Sequence, residues 1–312
     1  MNKKKTVALV LGSGAARGNA HIGVIQAIEE RGYEIVSISG CSIGAIVGGV
    51  FSAGKLAEYR DWAESLDRVD VLKLLDMSLM NGGYIKGDRF FEKIQEIIGE
   101  PVIESLPIAY TSVAVELVNQ KECWFQRGDL ITAMRASSAI PSILSPVHLN
   151  DRWYVDGGVL NPLPIIPTVS AGADYIIAVD LNGPGEKELD QVPVSIDGGA
   201  KEAPSWWGST KGFFSKGQDD FSDKDDNAYS PENWGRLQTI NVMFETMQES
   251  LTQYKLAGYP PDLLISIPKD ISGFYEFWRA KELIAFGYDV ALKAINELES
   301  PSMRYYAFPK GH

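Results

Sequence analysis

The first part of the chain alternates short apolar runs with longer stretches in which apolar residues recur every three or four positions. Residues Thr6–Leu11 form an apolar run typical of a buried strand, and the isoleucines of 21–31 fall on one face of a helix. Residues 34–39 alternate polar and β-branched apolar types, which predicts a second strand. An order of strand, helix, strand and helix predicts a largely parallel sheet covered by helices on both faces.

The same periodicities predict further elements along the chain. Helices are expected over 45–54, 56–75, 89–98, 129–137, 237–256 and 274–298. A strand pair is expected at 108–117 and 122–126, with further strands near 143–148, 174–181 and 262–267 and a turn at 81–83. The continuous apolar middle of 174–181 is typical of a parallel strand buried on both faces.

The composition changes between about 182 and 235. This insert has eleven acidic and five basic residues, which is half of the net charge of −12 carried by all 312 residues. It also contains the aromatic pairs Trp206-Trp207 and Phe213-Phe214, so one interpretation is a lid that dips into a membrane interface. We favour a solvated loop, because a negative segment repels anionic lipid.

Charge and composition exclude several classes of function. A net charge of −12 disfavours nucleic-acid binding, which needs a basic stripe. No stretch approaches the roughly 18–20 apolar residues of a membrane span. Two cysteines make no disulfide framework, and three histidines without metal-ligand spacing predict neither a metal nor a cofactor. We therefore expect a reduced, cytoplasmic protein.

The pentapeptide Gly40-Cys41-Ser42-Ile43-Gly44 lies between a predicted strand and a predicted helix. A G-x-S-x-G in that context forms a nucleophile elbow, in which the flanking glycines Gly40 and Gly44 leave room for a strained turn. The Ser42 hydroxyl would then stand at a helix N-terminus, where the helix dipole favours developing negative charge. Ser42 is the candidate nucleophile.

A glycine-rich turn follows the first strand, from Gly12 to Gly18. A dinucleotide fingerprint would need its third glycine one residue earlier, and a phosphate loop would need a Gly-Lys-Ser/Thr that is missing. An oxyanion hole and a purely structural turn stay open. Because the first two strands are expected to be neighbours, this turn and Ser42 should meet at the same carboxyl edge of the sheet.

A carboxylate followed by two glycines occurs at Asp156-Gly157-Gly158. It can point into a site because the glycines do not crowd it, although an ordinary Asp-Gly turn is the alternative. A serine nucleophile needs a base, yet the only histidine after Asp156 is His312, the last residue. A surface or packing role explains His148 better, and a capping or packing role explains His21 better than positioning of the glycine-rich loop. We therefore predict a Ser42–Asp156 dyad without histidine.

Taken together, these motifs resemble those of the patatin-like phospholipases. The stretch 11–23 looks like the opening of bacterial relatives of neuropathy target esterase, and 135–141, 156–164 and 280–288 add to the similarity. The resemblance covers most of the chain except the insert and the tail. Ser13 and Ala15 stand where the family often has glycine, but backbone N–H donors survive either replacement.

The resemblance implies a three-layer α/β/α fold with a mostly parallel central sheet, as one domain over 1–312 with the insert at 182–235 and a peripheral tail at 300–312. It also implies hydrolysis of lipid acyl esters through an acyl-enzyme, with Ser42 as nucleophile and Asp156 as base. Backbone donors would come from five residues, namely Gly12, Ser13, Gly14, Ala15 and Ala16. The supporting residues are Arg17, which would fix the loop, and the glycines Gly18, Gly40, Gly44, Gly157 and Gly158.

The expected partner is a lipid or other acyl-ester substrate, with room for transient peripheral contact at the inner face of the membrane. The residues alone leave two other functions open. One is a regulatory or scaffolding protein that keeps the fold without hydrolysis. The other is acyl transfer to an acceptor other than water. No pattern in the chain predicts the oligomeric state.

Overall fold

The computed structural model describes residues 4–74, 87–185 and 236–300. The predicted turn at 81–83, the insert from residue 186 onward and the tail beyond residue 300, including His312, lie outside these ranges. Among the described helices, none combines the length and apolar character that a bilayer span requires.

The described strands form one sheet in the order β5-β6-β3-β2-β1-β7-β8, with β4 paired to β3. Their bounds are β1 Thr6–Leu11, β2 Glu34–Cys41, β3 Ala109–Glu116, β4 Lys121–Phe125, β5 Val147–Leu149, β6 Arg152–Asp156, β7 Tyr175–Gly183 and β8 Leu263–Pro268. The neighbouring strands β3, β2, β1, β7 and β8 run parallel to one another. Strands β4 and β6 run antiparallel to β3. The predicted mostly parallel sheet is confirmed.

Helices cover both faces of this sheet. Their bounds are α1 Ala20–Glu30, α2 Ile43–Ser52, α3 Leu56–Ser65, α4 Arg68–Leu74, α5 Asp88–Ile98, α6 Leu130–Ser137, α7 Ile166–Val169, α8 Arg236–Gly258 and α9 Ala280–Glu299. Alternate residues of β1 face opposite ways, because side chains of a strand alternate between the two faces. Leu9 and Leu11 join the large core beneath α1, α2 and α9, whereas Val10 joins a smaller core with Ala178 and the half-buried Leu256 of α8.

Two predicted helices have different bounds in the structure. The stretch 56–75 is broken, because Leu66 is extended (φ −71°, ψ 129°) and Asp67 Oδ1 accepts the Asp70 N–H at 2.8 Å, which starts α4. The helix predicted from 274 begins only at Ala280, since the carbonyl of Phe274 accepts the Ala16 N–H at 3.2 Å and anchors the preceding segment to the glycine-rich loop.

Strand β7 also runs further than the sequence pattern predicted, because it continues to Gly183 rather than ending at 181. The composition change at about 182 therefore begins inside a strand. The Asn182 side chain is buried and donates to the carbonyl oxygen of Ser13 at 3.0 Å. The first residues assigned to the insert are thus part of the sheet.

Strands β2 and β6 meet end to end along one edge of β3. Cys41, the last residue of β2, pairs with Val113, and Asp156, the last residue of β6, pairs with Ala114. Strand β4 pairs with both of these β3 residues, so it occupies the opposite edge and leaves one edge for β2 and β6. The chain ends that carry Ser42 and Asp156 are brought together by consecutive residues of one strand.

Candidate active site

Ser42 lies at a strained turn between β2 and α2. Its backbone (φ 57°, ψ −126°) lies in a region that L-residues rarely adopt, and such strain is concentrated at functional sites. A Cβ on Gly44 would lie 2.1 Å from the Leu11 carbonyl oxygen, and one on Gly40 would lie 2.4 Å from the Gly44 oxygen. The two glycines therefore let the elbow pack against the end of β1.

A second serine fixes the elbow to the sheet. The Ser42 N–H donates to Ser137 Oγ at 2.9 Å, and the Ser137 hydroxyl donates to the Val113 carbonyl at 2.5 Å. Ser137 is the last residue of α6 and is fully buried. From the sequence alone, Ser137 was part of the stretch 135–141 that resembles the patatin-like phospholipases, and no role was predicted for it.

Asp156 is completely buried beside the elbow. Its Oδ1 accepts the Gly158 N–H at 2.7 Å and a weaker bond from the Cys41 thiol at 3.8 Å. Its Oδ2 is buried and has no well-aligned partner among the described residues. One carboxylate oxygen is therefore fixed by the protein while the other stays available to accept a proton.

The environment of Asp156 makes it a stronger base than an ordinary aspartate. Burial raises the pKa of Asp156 to about 6, because the charged form loses its hydration. Interactions with the Ser42 hydroxyl, the Gly158 N–H and the Cys41 thiol lower this pKa in part. The Ser42 hydroxyl thus lies close enough to favour the charged carboxylate, although it makes no hydrogen bond of ordinary geometry to Asp156 Oδ2.

Cys41 adjoins Ser42, but its environment keeps the thiol protonated. Burial and the nearby Asp156 carboxylate raise the pKa of the Cys41 thiol well above its usual range. A neutral thiol is a hydrogen-bond donor and a poor nucleophile. Cys41 therefore supports Asp156, and Ser42 is the better nucleophile of the two.

The glycine-rich loop supplies fewer free donors than the five that were predicted. The N–H groups of Gly12, Ser13 and Ala16 already donate to the backbone oxygens of Val179, Pro162 and Phe274. The N–H groups of Gly14 and Ala15 have no partner within the described residues. Ala15 adopts a positive φ of 49°, and it borders the same cavity as Ser42. The free donors are therefore those of Gly14 and Ala15.

Arg17 connects this loop to three other segments. Its guanidinium is 3% exposed and donates to the Lys269 carbonyl, to Asn182 Oδ1 and to Glu245 Oε1 at 2.8, 3.1 and 2.8 Å. Asn182 in turn holds the Ser13 carbonyl. Gly18 adjoins this network, where an added Cβ would lie 2.1 Å from the Ile43 side chain.

The described histidines are not placed to act as the base. His21 is buried and its Nε2 donates to the Gly12 carbonyl at 2.9 Å, so it holds the glycine-rich loop. Burial lowers the pKa of His21 to about 4, which keeps the imidazole neutral. His148 lies in β5, where its ring is 4.6 Å from that of Trp153. Neither ring borders the cavity at Ser42.

Helix α8 covers the site with polar side chains, which the sequence analysis did not foresee. Gln248 is 2% exposed and its Nε2 donates to the Ser13 hydroxyl at 3.1 Å. A Cβ on Gly158 would lie 2.0 Å from that amide, and one on Gly157 would lie 2.2 Å from the Val113 oxygen. Polar residues at 245, 248, 249 and 252 were the available signal, since they share one face of a helix.

A predominantly apolar cavity opens beside Ser42. The cavity and the open solvent at its mouth together occupy about 830 Å³. Side chains from α2, α3, α4, α5 and the segments 138–144 and 274–277 line it. Trp62, Phe90 and Phe91 are among the aromatic residues of its wall. Asp156 does not border it, so the carboxylate lies behind the serine.

Comparisons with known proteins agree with this geometry. The family model described as patatin-like phospholipase matches residues 9–169. An uncharacterized NTE family protein of Mycobacterium tuberculosis is 37% identical over 94% of this chain and 92% of its own length. The human patatin-like phospholipase domain-containing protein 6 is 31% identical over 65% of this chain, which corresponds to 15% of that protein.

A solved structure matches the fold at greater distance. The crystal structure of VipD from Legionella pneumophila superposes with a TM-score of 0.51 and 14% identity, covering 95% of this chain and 67% of that one. Such a low identity shows the fold alone. The family model and the mycobacterial relative together establish that this chain belongs to the patatin-like phospholipase family.

Proposed function

We propose that this protein is a serine lipid acyl hydrolase that cleaves carboxylic esters through a Ser42–Asp156 dyad and an acyl-enzyme. The proposal rests above all on the fully buried Asp156 carboxylate, which interacts with the Ser42 hydroxyl and whose Oδ2 has no hydrogen-bond partner among the described residues. A carboxylate in that position can accept a hydroxyl proton without a histidine between them.

In the first step Asp156 accepts the proton of Ser42 as the serine oxygen attacks the ester carbonyl carbon. The raised pKa of about 6 makes this carboxylate a better acceptor than a solvent-exposed aspartate while leaving it ionised at neutral pH. The proton then passes to the leaving alcohol as the carbon–oxygen bond breaks. The product of this step is an acyl ester on Ser42.

The negative oxygen of the intermediate would be held by the N–H groups of Gly14 and Ala15, the two donors of the loop without a partner among the described residues. The N-terminus of α2 adds a favourable dipole. Loss of one such donor typically lowers the rate by about 100- to 1,000-fold. Gly12, Ser13 and Ala16 would act indirectly, by holding the loop in place.

In the second step water attacks the acyl ester, and Asp156 again accepts the proton. Asp156 then passes this proton to the Ser42 oxygen as the bond between that oxygen and the acyl carbon breaks, and the carboxylic acid leaves. The apolar cavity supports a hydrocarbon chain as the acyl group, because each buried methylene contributes about 0.8 kcal/mol. The names of the family and of the relatives support a phospholipid or related lipid as substrate. Such a substrate would be taken up during transient contact with a membrane surface.

The test uses purified protein with short p-nitrophenyl esters and with monoacyl and diacyl phospholipids. We expect Ser42→Ala and Asp156→Asn each to lower kcat by about 10⁴-fold or more, as for other members of catalytic dyads and triads. Ser105→Ala is the matched control, because Ser105 is an exposed serine whose hydroxyl bonds only the Val102 carbonyl.

A fluorophosphonate probe adds a readout that does not depend on the substrate chosen. It should label the native protein and the Ser105→Ala variant but not Ser42→Ala. Native turnover in both dyad variants would refute the mechanism. A native protein that neither reacts with the probe nor cleaves any ester of the panel would instead support a non-catalytic binding role.

A further inference from the structure

Helix α8 buries some of its polar side chains against the protein and exposes large apolar side chains to solvent. Gln248 and Thr252 are 2% and 1% exposed, whereas Met243, Met247 and Tyr254 are 59%, 51% and 75% exposed. An amphipathic helix on a protein surface normally has the reverse arrangement. Among the residues that the structure describes, none covers this outward face of α8.

This outer face follows a heptad pattern. The exposed positions recur at alternating intervals of three and four residues, which is the a/d spacing of a helix that packs against another helix. They are Ile240, Met243, Met247, Ser250, Tyr254 and Ala257. The 23 residues of α8 span about 34 Å at 1.5 Å per residue, so the seam is long enough for about three heptads.

From residue 239 onward, where the structure describes its side chains, the outer face of α8 carries no charge. Flanking the a/d series on one side are Thr239, Thr246 and Gln253, and each exposed side chain described for this helix is neutral. Of the charged residues whose side chains the structure describes, Glu245, Glu249 and Lys255 turn the other way and form ion pairs. About 25–35% of the surface residues of a small soluble domain are typically charged, and this chain carries a net charge of −12. The described outer face of α8 is uncharged by comparison.

We propose that the outer face of α8 is a self-association surface, on which α8 of a second copy of this chain packs antiparallel. The narrow a/d seam fits a helix rather than a flat surface. A lipid interface would favour a broader apolar face flanked by Lys and Arg. The neutral seam matters for self-association in particular, because two copies that each carry −12 can then approach without like charges facing each other at the contact.

An antiparallel arrangement also matches side-chain sizes. When the two helices are centred between residues 248 and 249, each a position faces a d position of the partner. The facing pairs are Ile240 with Ala257, Met243 with Tyr254, and Met247 with Ser250. In the first and third pairs a large residue meets a small one, and the methionine–tyrosine pair gains a sulfur–aromatic contact. A two-fold axis through the centre produces each contact twice.

The first test is sedimentation of the full chain at several concentrations. We expect the native protein to dimerise and the double variant Met243→Glu/Met247→Glu to sediment as a monomer, because four carboxylates would meet at the seam. Val118→Glu is the control, since Val118 is 73% exposed in the turn between β3 and β4 and should leave the dimer intact. Met247→Leu keeps the seam apolar and should also dimerise. Far-UV circular dichroism verifies that each variant is folded.

Three results would overturn the proposal. One is a native protein that stays monomeric at every concentration. Another is a dimer that persists in the double glutamate variant, which would place the contact elsewhere. The third is a native monomer that floats with phosphatidylcholine vesicles and loses this binding in the double variant, which would assign the face to lipid. None of these readouts uses ester hydrolysis, so the result is independent of the proposed function.

The register is tested by disulfide cross-linking. Oxidation of an equimolar mixture of Met247→Cys and Ser250→Cys should give a reducible dimer in higher yield than either variant alone. The native chain is the background control, because Cys41 is buried and Cys123 is half-buried. A dimer formed by each variant alone and not enhanced in the mixture would indicate parallel helices and refute the antiparallel register.

Discussion

At the scale of single residues, Asp156 shows how burial and geometry prepare a carboxylate to act as a base. One oxygen is held by Gly158 and Cys41, and the other has no well-aligned partner in the described structure. Burial raises the pKa of Asp156 to about 6, so ionisation of this group opposes folding. The burial that makes Asp156 a better proton acceptor therefore also lowers the stability of the folded protein.

We predict that Asp156→Asn stabilises the folded protein at pH 8. The pKa of Asp156 rises from 3.8 to about 6 on folding, so the folded state binds the proton more tightly than the unfolded state. Ionisation of this carboxyl therefore lowers the stability of the native chain by about 3 kcal/mol as pH rises from about 4 to 6. The asparagine variant should escape that loss.

Urea unfolding of both proteins at pH 4 and pH 8 measures this difference. The two should be close in stability at pH 4, where the native carboxyl is protonated, and should diverge at pH 8. The activity of the native enzyme should rise with pH through about 6, because the base must be ionised. Equal stability of the two proteins at pH 8 would contradict the assigned environment of Asp156.

At the scale of secondary-structure elements, the site depends on close approach between β1, the elbow and the helices around the glycine-rich loop. Gly44 lies against the Leu11 carbonyl, and Arg17 ties the loop to α8 and to the end of β7. Small residues and one buried cation therefore position groups that lie far apart in the chain.

Gly44→Ala should destabilise the protein although alanine is the better helix former. The new Cβ would lie 2.1 Å from the Leu11 oxygen, and backbone cannot yield as a side chain can. We expect a loss of about 3 kcal/mol or more in the free energy of unfolding, with lower activity. Gly258→Ala, the control at the end of α8, has no atom within 4 Å of its Cβ and should be neutral or stabilise by up to about 1 kcal/mol. Equal effects of the two changes would refute the packing argument.

Removal of the Arg17 side chain should affect both stability and turnover. Arg17→Met leaves Glu245, Asn182 and the Lys269 carbonyl without their donor, so we expect a loss of about 3 kcal/mol. Displacement of the loop donors by about 1 Å should lower kcat by about 100-fold. Thermal unfolding and esterase assays measure the two effects.

Arg31→Met provides the matched control for that experiment. Arg31 bonds Glu299 at the surface, with both side chains 34% exposed, so its loss should change stability by less than about 1 kcal/mol and leave kcat unchanged. If Arg17→Met behaved like this control, the loop would be held by other contacts.

At the scale of the whole molecule, helices from distant parts of the chain enclose the cavity that would receive the acyl chain. We predict that kcat/KM for p-nitrophenyl esters rises by about fourfold per added methylene until the cavity is filled, which corresponds to about 0.8 kcal/mol per methylene. Ala63→Phe should shift the optimum to shorter chains, because Ala63 lines the wall and is buried. Ala57→Phe on the exposed side of the same helix should leave the profile unchanged.

Much of the fold could be read from local pattern. The apolar run of 174–181 predicted the parallel strand β7, and the expected pairing of the first two strands is confirmed by β1 and β2. The helix break at Leu66 was missed because both halves keep helical periodicity. The late start of α9 was missed because the Phe274 carbonyl bonds Ala16, some 260 residues away in the chain.

The sequence by itself determined the chemical groups and their local geometry, since an elbow, a glycine-rich turn and an Asp-Gly-Gly each depend on a few adjacent residues. Only the tertiary structure decided which of these groups are free to act. Strand β3 aligns the ends of β2 and β6. Backbone carbonyls of other segments accept hydrogen bonds from three of the five loop N–H groups, and Gln248, which follows the insert in the chain, contacts Ser13. Burial and hydrogen-bond partners come from residues distant in the chain, so no local pattern encodes them.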